Sequence, residues 1–343
     1  MESAPTITIE RNNIVPTLLD VYKSNFLSMK FVKFIIQDEL AQDLDGVKRE
    51  IYSIFWDDIT NQYFEGGKSL VPRVGPDVTD ELCKILGRAL IHSFLITGIW
   101  PIQISKLFSI VVLGGEESLT DDDFLDAFLD YVLEFEAVVL QNALTEAESG
   151  VMKATTQHQV LEVLSPFGLR MLPTHSNIKS ILVNIAKCEL VQKVNRSINK
   201  FREGIQDMDA QILADVDKED VLQMYDELPP TPTKVLSLIK ADVDGVLTKS
   251  QEEVFCHLKR YVNAADTATL KRFIRFVTGS SFLVAKEIKV IFHLSIARLP
   301  CLVAHTCGCT VDLPVGSYTG FLDFKTQLDN ILCNPESWKF RLV

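Results

Sequence analysis

The sequence predicts an α+β protein built as two lobes: a mostly helical first lobe with short strands over 1–232, and a smaller mixed lobe over 233–343, joined by a flexible hinge. Three observations carry this expectation. Apolar residues recur at helical spacing through most of the chain up to residue 228. Pro229-Pro230-Thr231-Pro232-Thr233 then breaks the pattern, because three prolines in four positions cannot continue a helix and read as an extended connector. Beyond it, helical stripes mix with an alternating strand and a cysteine-bearing loop.

Composition supports folding and narrows function. With 343 residues, 47% of them hydrophobic and 23% charged, the chain can bury a sizeable core and has no bias toward disorder. A net charge of -12 argues against nucleic acid, which needs clustered Lys and Arg, and against anionic membrane surfaces. Met1-Glu2-Ser3-Ala4-Pro5 has no basic start with an apolar run behind it. The most apolar window, 89–102, is interrupted by His92, Ser93 and Pro101 and reads as a buried helix rather than a membrane span. Seven cysteines, at 83, 188, 256, 301, 307, 309 and 333, are odd in number and scattered. Free thiols in a reducing compartment, cytoplasm or nucleus, are the expectation.

Residues 6–9 alternate and predict an edge strand, a helix follows from Pro16, and the run FVKFII at 31–36 predicts a buried strand. Asp45-Gly46 reads as a turn before a helix over 47–59, and 72–76 as a loop. Thr79 predicts an N-cap and Gly98 the end of a helix that is apolar on nearly every side, through Leu82, Ile85, Leu86, Leu90, Ile91, Phe94 and Leu95. Pro101 reads as the start of another helix to 113. Thr120, followed by Asp121, Asp122 and Asp123, opens a helix with a stripe at Phe124, Phe128, Leu129, Val132 and Phe135. Its acidic run is either a docking face for a basic partner or a solvated face complementing the helix dipole. From Asn177 one long helical pattern runs through Cys188 to Phe201. The second lobe predicts helices over 250–262, 267–277 and 319–332 and a strand over 287–292. No repeat, phosphate-binding glycine loop or paired metal-ligand motif is present, so no cofactor is expected.

Chemistry concentrates near the end of the chain. Leu299-Pro300, Ala304-His305-Thr306-Cys307 and Asp312-Leu313-Pro314 read as strand, turn, displayed cysteine and turn. A thiol presented on a loop is a candidate nucleophile. On an extended segment His305 and Cys307 would point to one side, so His305 either polarises the thiol or bonds backbone. Thr306 orders the loop through its hydroxyl. Cys301, His305, Cys307 and Cys309 raise a rival, a small zinc site, although alternate strand positions wrap poorly around a tetrahedral ion. Cys309 is either a resolving thiol or a small loop residue.

Two spaced segments, RFVTGSS at 275–281 and LPCLVAHTCGCTVDLP at 299–314, resemble the carboxy-terminal lobe of HECT-type ubiquitin ligases. The opening strand and helix, FVKFII, Asp45-Gly46-Val47-Lys48-Arg49-Glu50 and Gly87-Arg88-Ala89 are similar to that family's amino-terminal lobe. Where the family carries an aromatic and then an amide residue after its cysteine, this chain has Gly308 and Cys309. The resemblance implies a bilobal HECT-like fold whose partners are ubiquitin and a ubiquitin-conjugating enzyme. It implies two acyl transfers: ubiquitin passes from the conjugating enzyme to Cys307 as a thioester, then to a substrate lysine. An ordinary thiol, with a pKa of about 8.5, suits such exchange without a strongly activating base. His305, Thr306 and Asp312 would support the thiol, Asp312 either stabilising the incoming lysine or forming a turn, and Phe340 would assist the lysine step. The second reading the residues leave open is a HECT-like module that binds ubiquitin or conjugating enzyme with little or no transfer.

Overall fold

A computed structural model describes residues 5–24, 32–37, 45–208, 211–294 and 302–334. Thr6–Ile9 (β1) alternates exposed and buried residues, and after Ile14–Lys23 (α1) it pairs in parallel with Lys33–Ile36 (β2). Ile7, Ile9, Phe34 and Ile36 are thereby buried. Asp45–Tyr63 (α2) follows, and here the sequence reading needs correction: Asp45 and Gly46 are not a separate turn but the first turn of this helix. Asp45 complements the positive helix end, and the close approach of another segment at Gly46, described below, explains a glycine there. The helix buries residues on most sides, including Tyr52, Phe55 and Trp56, because it lies between the first core and the second lobe. Phe64–Gly66 (β3) and Leu70–Pro72 (β4) form an antiparallel hairpin that the sequence reading did not anticipate.

Asp80–Thr97 (α3) is the central helix of the first lobe. Thr79 accepts a hydrogen bond from Leu82 N, and Gly98 closes the helix at φ 72°, a conformation glycine adopts without penalty. Leu95, read as part of the apolar surface, is instead 56% exposed. Lys106–Leu113 (α4) starts later than Pro101 suggests. Residues 101–105 are committed to turns and to β4, through Ile104 N to Pro101 O and Ser105 N to Leu70 O, and Ser105 supplies the cap.

Asp121–Tyr131 (α5) begins with the reciprocal Thr120–Asp123 capping box. The predicted stripe overruns it. Val132 is extended, and Phe135 belongs to the next helix, Glu134–Glu148 (α6), whose N-terminus Glu136 caps by accepting from Leu133 N. The acidic residues of α5 pair within the chain: Lys187 with Asp121, Lys179 with Asp122 and Lys218 with Asp123. Ala154–Leu164 (α7) and Ile178–Lys187 (α8) follow. The long pattern from Asn177 is divided by a π turn, Cys188–Gln192, before Asn195–Met208 (α9).

Ile212–Asp215 (α10) and Lys218–Glu227 (α11) precede the proline segment. Pro232 does not belong to the irregular connector; it opens Pro232–Leu238 (α12), where Thr231 caps and a missing proline N–H is no loss. Ile239–Ala241 (β5), Lys249–Ala264 (α13), Thr267–Thr278 (α14), Ile288–Leu294 (β6), Val303–His305 (β7), Thr310–Val315 (β8) and Phe321–Cys333 (α15) complete the order. The last four strands make one sheet, β5-β6-β8-β7, parallel except for the β7–β8 hairpin. Val235, Phe273, Val290, Val311, Leu313 and Phe324 are among the residues of its core. Phe282 leaves that core and is buried with the first lobe's residues, while Leu283 N donates to Leu228 O at 2.9 Å. The fold is α+β, as expected.

Candidate active site

The β7–β8 hairpin presents the candidate thiol. Ala304 pairs with Val311 and His305 with Thr310, leaving residues 306–309 as the connecting turn. Gly308 N donates to His305 O at 3.2 Å and Cys309 N to Thr306 O at 3.4 Å, which closes the turn and leaves the Cys307 side chain exposed. Beneath it β8 runs between β6 and β7, and Lys289 N donates to Cys309 O at 3.0 Å. Cys309 has φ 49°, the left-handed region that a side chain occupies at some cost.

His305 and Asp312 are diagonal neighbours across this hairpin, and His305 Nε2 lies 3.1 Å from Asp312 Oδ2. The extended path expected from His305 to Cys307 is interrupted by the turn, so the two side chains do not share a strand face. Asp312 lies within β8 rather than in a turn, and Pro314 lies in the same strand, opposite His293 of β6. Thr306 is engaged through its backbone: its carbonyl accepts from Arg49 Nη2 at 2.7 Å. Leu299, Pro300, Cys301 and Phe340 lie outside the described residues. Among the described residues no group of three or more His, Cys, Asp or Glu side chains is gathered for a metal ion.

A second set of residues, missed by the sequence reading, comes from α2. Arg49 Nε donates to Thr278 O at 2.6 Å, and Nη2 reaches Thr306 O and, at 3.5 Å, Cys309 Sγ. Ser53 Oγ donates to Gly279 O at 3.2 Å. Arg275 pairs with Glu50 at 3.3 Å and Asp57 at 3.0 Å, and Arg11 also pairs with Glu50. Burial works to lower the Arg275 pKa, but the Glu50 and Asp57 carboxylates together outweigh it and hold it above the ordinary value. Burial pushes the Cys309 thiol up, against the Arg49 charge that pulls it down. A Cβ at Gly46 would meet Thr306 Oγ1, and would lie 2.8 Å from Thr306 C and 2.9 Å from Cys307 N. The signal for this seam was present in the segments 45–50, 275–281 and 299–314, but sequence alone does not say that they meet.

Cys83 is buried, Cys188 partly so, and Cys256 and Cys333 are exposed. No helix among the described residues is long and apolar enough to cross a membrane. A search of curated proteins found none that matches this chain. The family model described as HECT-domain (ubiquitin-transferase) matches residues 24–340, nearly the whole sequence. With that match and the hairpin-borne cysteine in hand, the chain belongs to the HECT-domain, ubiquitin-transferase family.

Proposed function

We propose that the chain is a ubiquitin-protein ligase in which Cys307 is the acyl acceptor. The observation that carries this reading is an exposed thiol on the turn of a hairpin whose strand β8 is held between β6 and β7 in a four-stranded sheet. The Cys307 thiol gives up its proton and the thiolate attacks the carbonyl of the thioester joining ubiquitin to a conjugating enzyme. A new C–S bond forms, the old one breaks, and the conjugating enzyme's cysteine leaves as a thiolate that takes up a proton in its turn. A substrate lysine amine then attacks the Cys307 thioester, a C–N bond replaces the C–S bond, the amine loses its proton and the Cys307 thiol is regenerated. Asp312, with His305 beside it, is an acid–base pair on the same hairpin as Cys307, and we assign it to the lysine step.

The conjugating enzyme docks on the first lobe in this reading. Leu133, Phe135 and Val138 at the start of α6 are 51%, 65% and 51% exposed, and Phe135 and Val138 lie three positions apart, on one helix face. One cysteine must meet a donor and later a substrate, so the second lobe swings about the residues 228–231. The test is incubation with activating enzyme, a panel of conjugating enzymes and ubiquitin, scored for a thiol-sensitive adduct. The adduct is expected on the wild-type chain and lost in Cys307→Ala. An adduct that survives Cys307→Ala refutes the site. If no conjugating enzyme yields one, the chain is better read as a module that binds ubiquitin or conjugating enzyme, in line with Gly308 and Cys309 departing from the family pattern.

A further inference from the structure

Arg49 is the one described first-lobe side chain that hydrogen-bonds the cysteine turn directly, and it does so from a buried position, at 9% exposure. A guanidinium stays charged, and burying it is costly unless each donor is satisfied. Its partners include two backbone carbonyls and one sulfur. Thr278 is the last residue of α14, so its carbonyl is among those left without an intrahelical donor at the negative end of the helix. Thr306 O belongs to the peptide unit whose nitrogen is that of Cys307. Because a peptide is planar, holding the oxygen orients the Cα that carries the thiol. Cys309, two residues on, is buried beneath the same guanidinium and sits in a backbone conformation with positive φ.

We propose that Arg49 is a positioning residue for the Cys307 turn. By spanning the end of α14 and the turn, it sets the thiol's direction when the second lobe rests on α2, with Cys309 as its buried sulfur partner. The resting arrangement is then the one from which the Cys307 thioester is delivered to lysine. Gly46 and Gly279 permit it: a Cβ at Gly279 would lie 2.5 Å from Gly46 O and 3.3 Å from Glu50 N. Lysine cannot replace Arg49, since a single ammonium cannot hold both carbonyls in one fixed fork.

This inference rests on the transferase reading of Cys307, and the experiment separates the two. The variants are Arg49→Ala and Arg49→Lys, read in single-turnover acceptance of ubiquitin and in discharge of the isolated thioester to free lysine. Arg49→Ala is expected to slow discharge about tenfold, with acceptance falling less than about threefold, and Arg49→Lys to lie between. In a Cys307→Ser background, where Cys309 is followed by mass-resolved maleimide labelling, Arg49→Ala is expected to raise the labelling rate about tenfold. Equal loss of acceptance and discharge, or an unchanged labelling rate, overturns the positioning role. Absence of an adduct with every conjugating enzyme overturns the transferase reading and the delivery step with it. The labelling ratio then still decides whether Arg49 holds the turn.

Discussion

The α3–α9 crossing and the seam between α2 and the second lobe both rely on glycine for close approach, and they differ in what surrounds the glycine. Inside the first lobe, α3 and α9 pack backbone to backbone: a Cβ at Gly204 would meet Lys84 O and lie 2.9 Å from Arg88 N, and one at Gly87 would meet Phe201 O. Buried Leu86, Leu90, Ile198 and Phe201 line the elements around that crossing. Arg88 adds a carboxylate partner, with Nε donating to Asp207 Oδ2 at 2.9 Å, and donates from Nη1 to Tyr22 O. Between α2 and the second lobe, Gly46 and Gly279 allow the same closeness, but the groups that meet across α2 are polar: Arg49, Glu50, Ser53 and Asp57 against Arg275 and the carbonyls of Thr278, Gly279 and Thr306. Water can replace most of those contacts, whereas it cannot replace buried apolar surface without loss. The first seam is held by buried apolar surface; the second is held at α2 mainly by polar contacts, with Phe282 of the second lobe also buried against the first, and in the reading proposed above it closes and releases.

That contrast breaks most visibly with Gly204→Ala. Two backbones would have to part, and a loss of about 3 kcal/mol or more in unfolding free energy is expected, measured by denaturant titration. A wild-type midpoint would remove the claim that α3 and α9 touch through their backbones. Gly46→Ala is expected to act at the other seam alone. Alanine favours a helix by about 1 kcal/mol over glycine, so the first lobe should not lose stability, yet the added methyl collides with Thr306. The expected signature is faster proteolysis at residues 228–231 and faster Cys309 labelling at an unchanged first-lobe midpoint.

Arg275→Ala comes next, with about 2 kcal/mol lost from lobe docking, because Glu50 keeps Arg11 but loses one of two cationic partners. A double-mutant cycle with Asp57→Asn, whose carboxyl Arg275 also binds, measures the coupling.

The smallest effect is in the acid range and has opposite signs at the two seams. The Asp207 pKa lies below its ordinary value: burial opposes this, but Arg88 and Lys84 together prevail. Its contribution is therefore present above the unfolded carboxylate value and is lost as pH falls through the folded one. The Asp57 pKa lies above its ordinary value, chiefly through burial, against the pull of Arg275. Its contribution is complete below the unfolded value and declines as pH rises through the folded one. Between about pH 5 and 3, Asp207→Asn should flatten the fall in stability and Asp57→Asn should not. Urea midpoints across that range check it.

Local signals carried much of this architecture into the sequence. Thr79, Thr120, Thr248 and Asp266 each cap the helix they precede, and Gly98 and Gly279 end theirs in the left-handed conformation. Cys307 was recognisable as displayed because turn residues surround it. The break at Val132 was hidden because apolar spacing continues across it, and only the Glu136 bond to Leu133 N reveals a new helix. Asp312 was misread as a turn residue because Asp before Leu-Pro has turn chemistry, while pairing with β6 and β7 decides otherwise. The α2 seam was the least legible, since Arg49 and Thr306 stand 257 positions apart and no periodicity encodes such a contact.

The measurement that bears most directly on the account is the thiol-sensitive ubiquitin adduct, compared in the wild-type chain, Cys307→Ala and Cys309→Ser. The expected result is an adduct in wild type that is absent in Cys307→Ala and retained in Cys309→Ser. An adduct that persists in Cys307→Ala, or vanishes in Cys309→Ser alone, would contradict it.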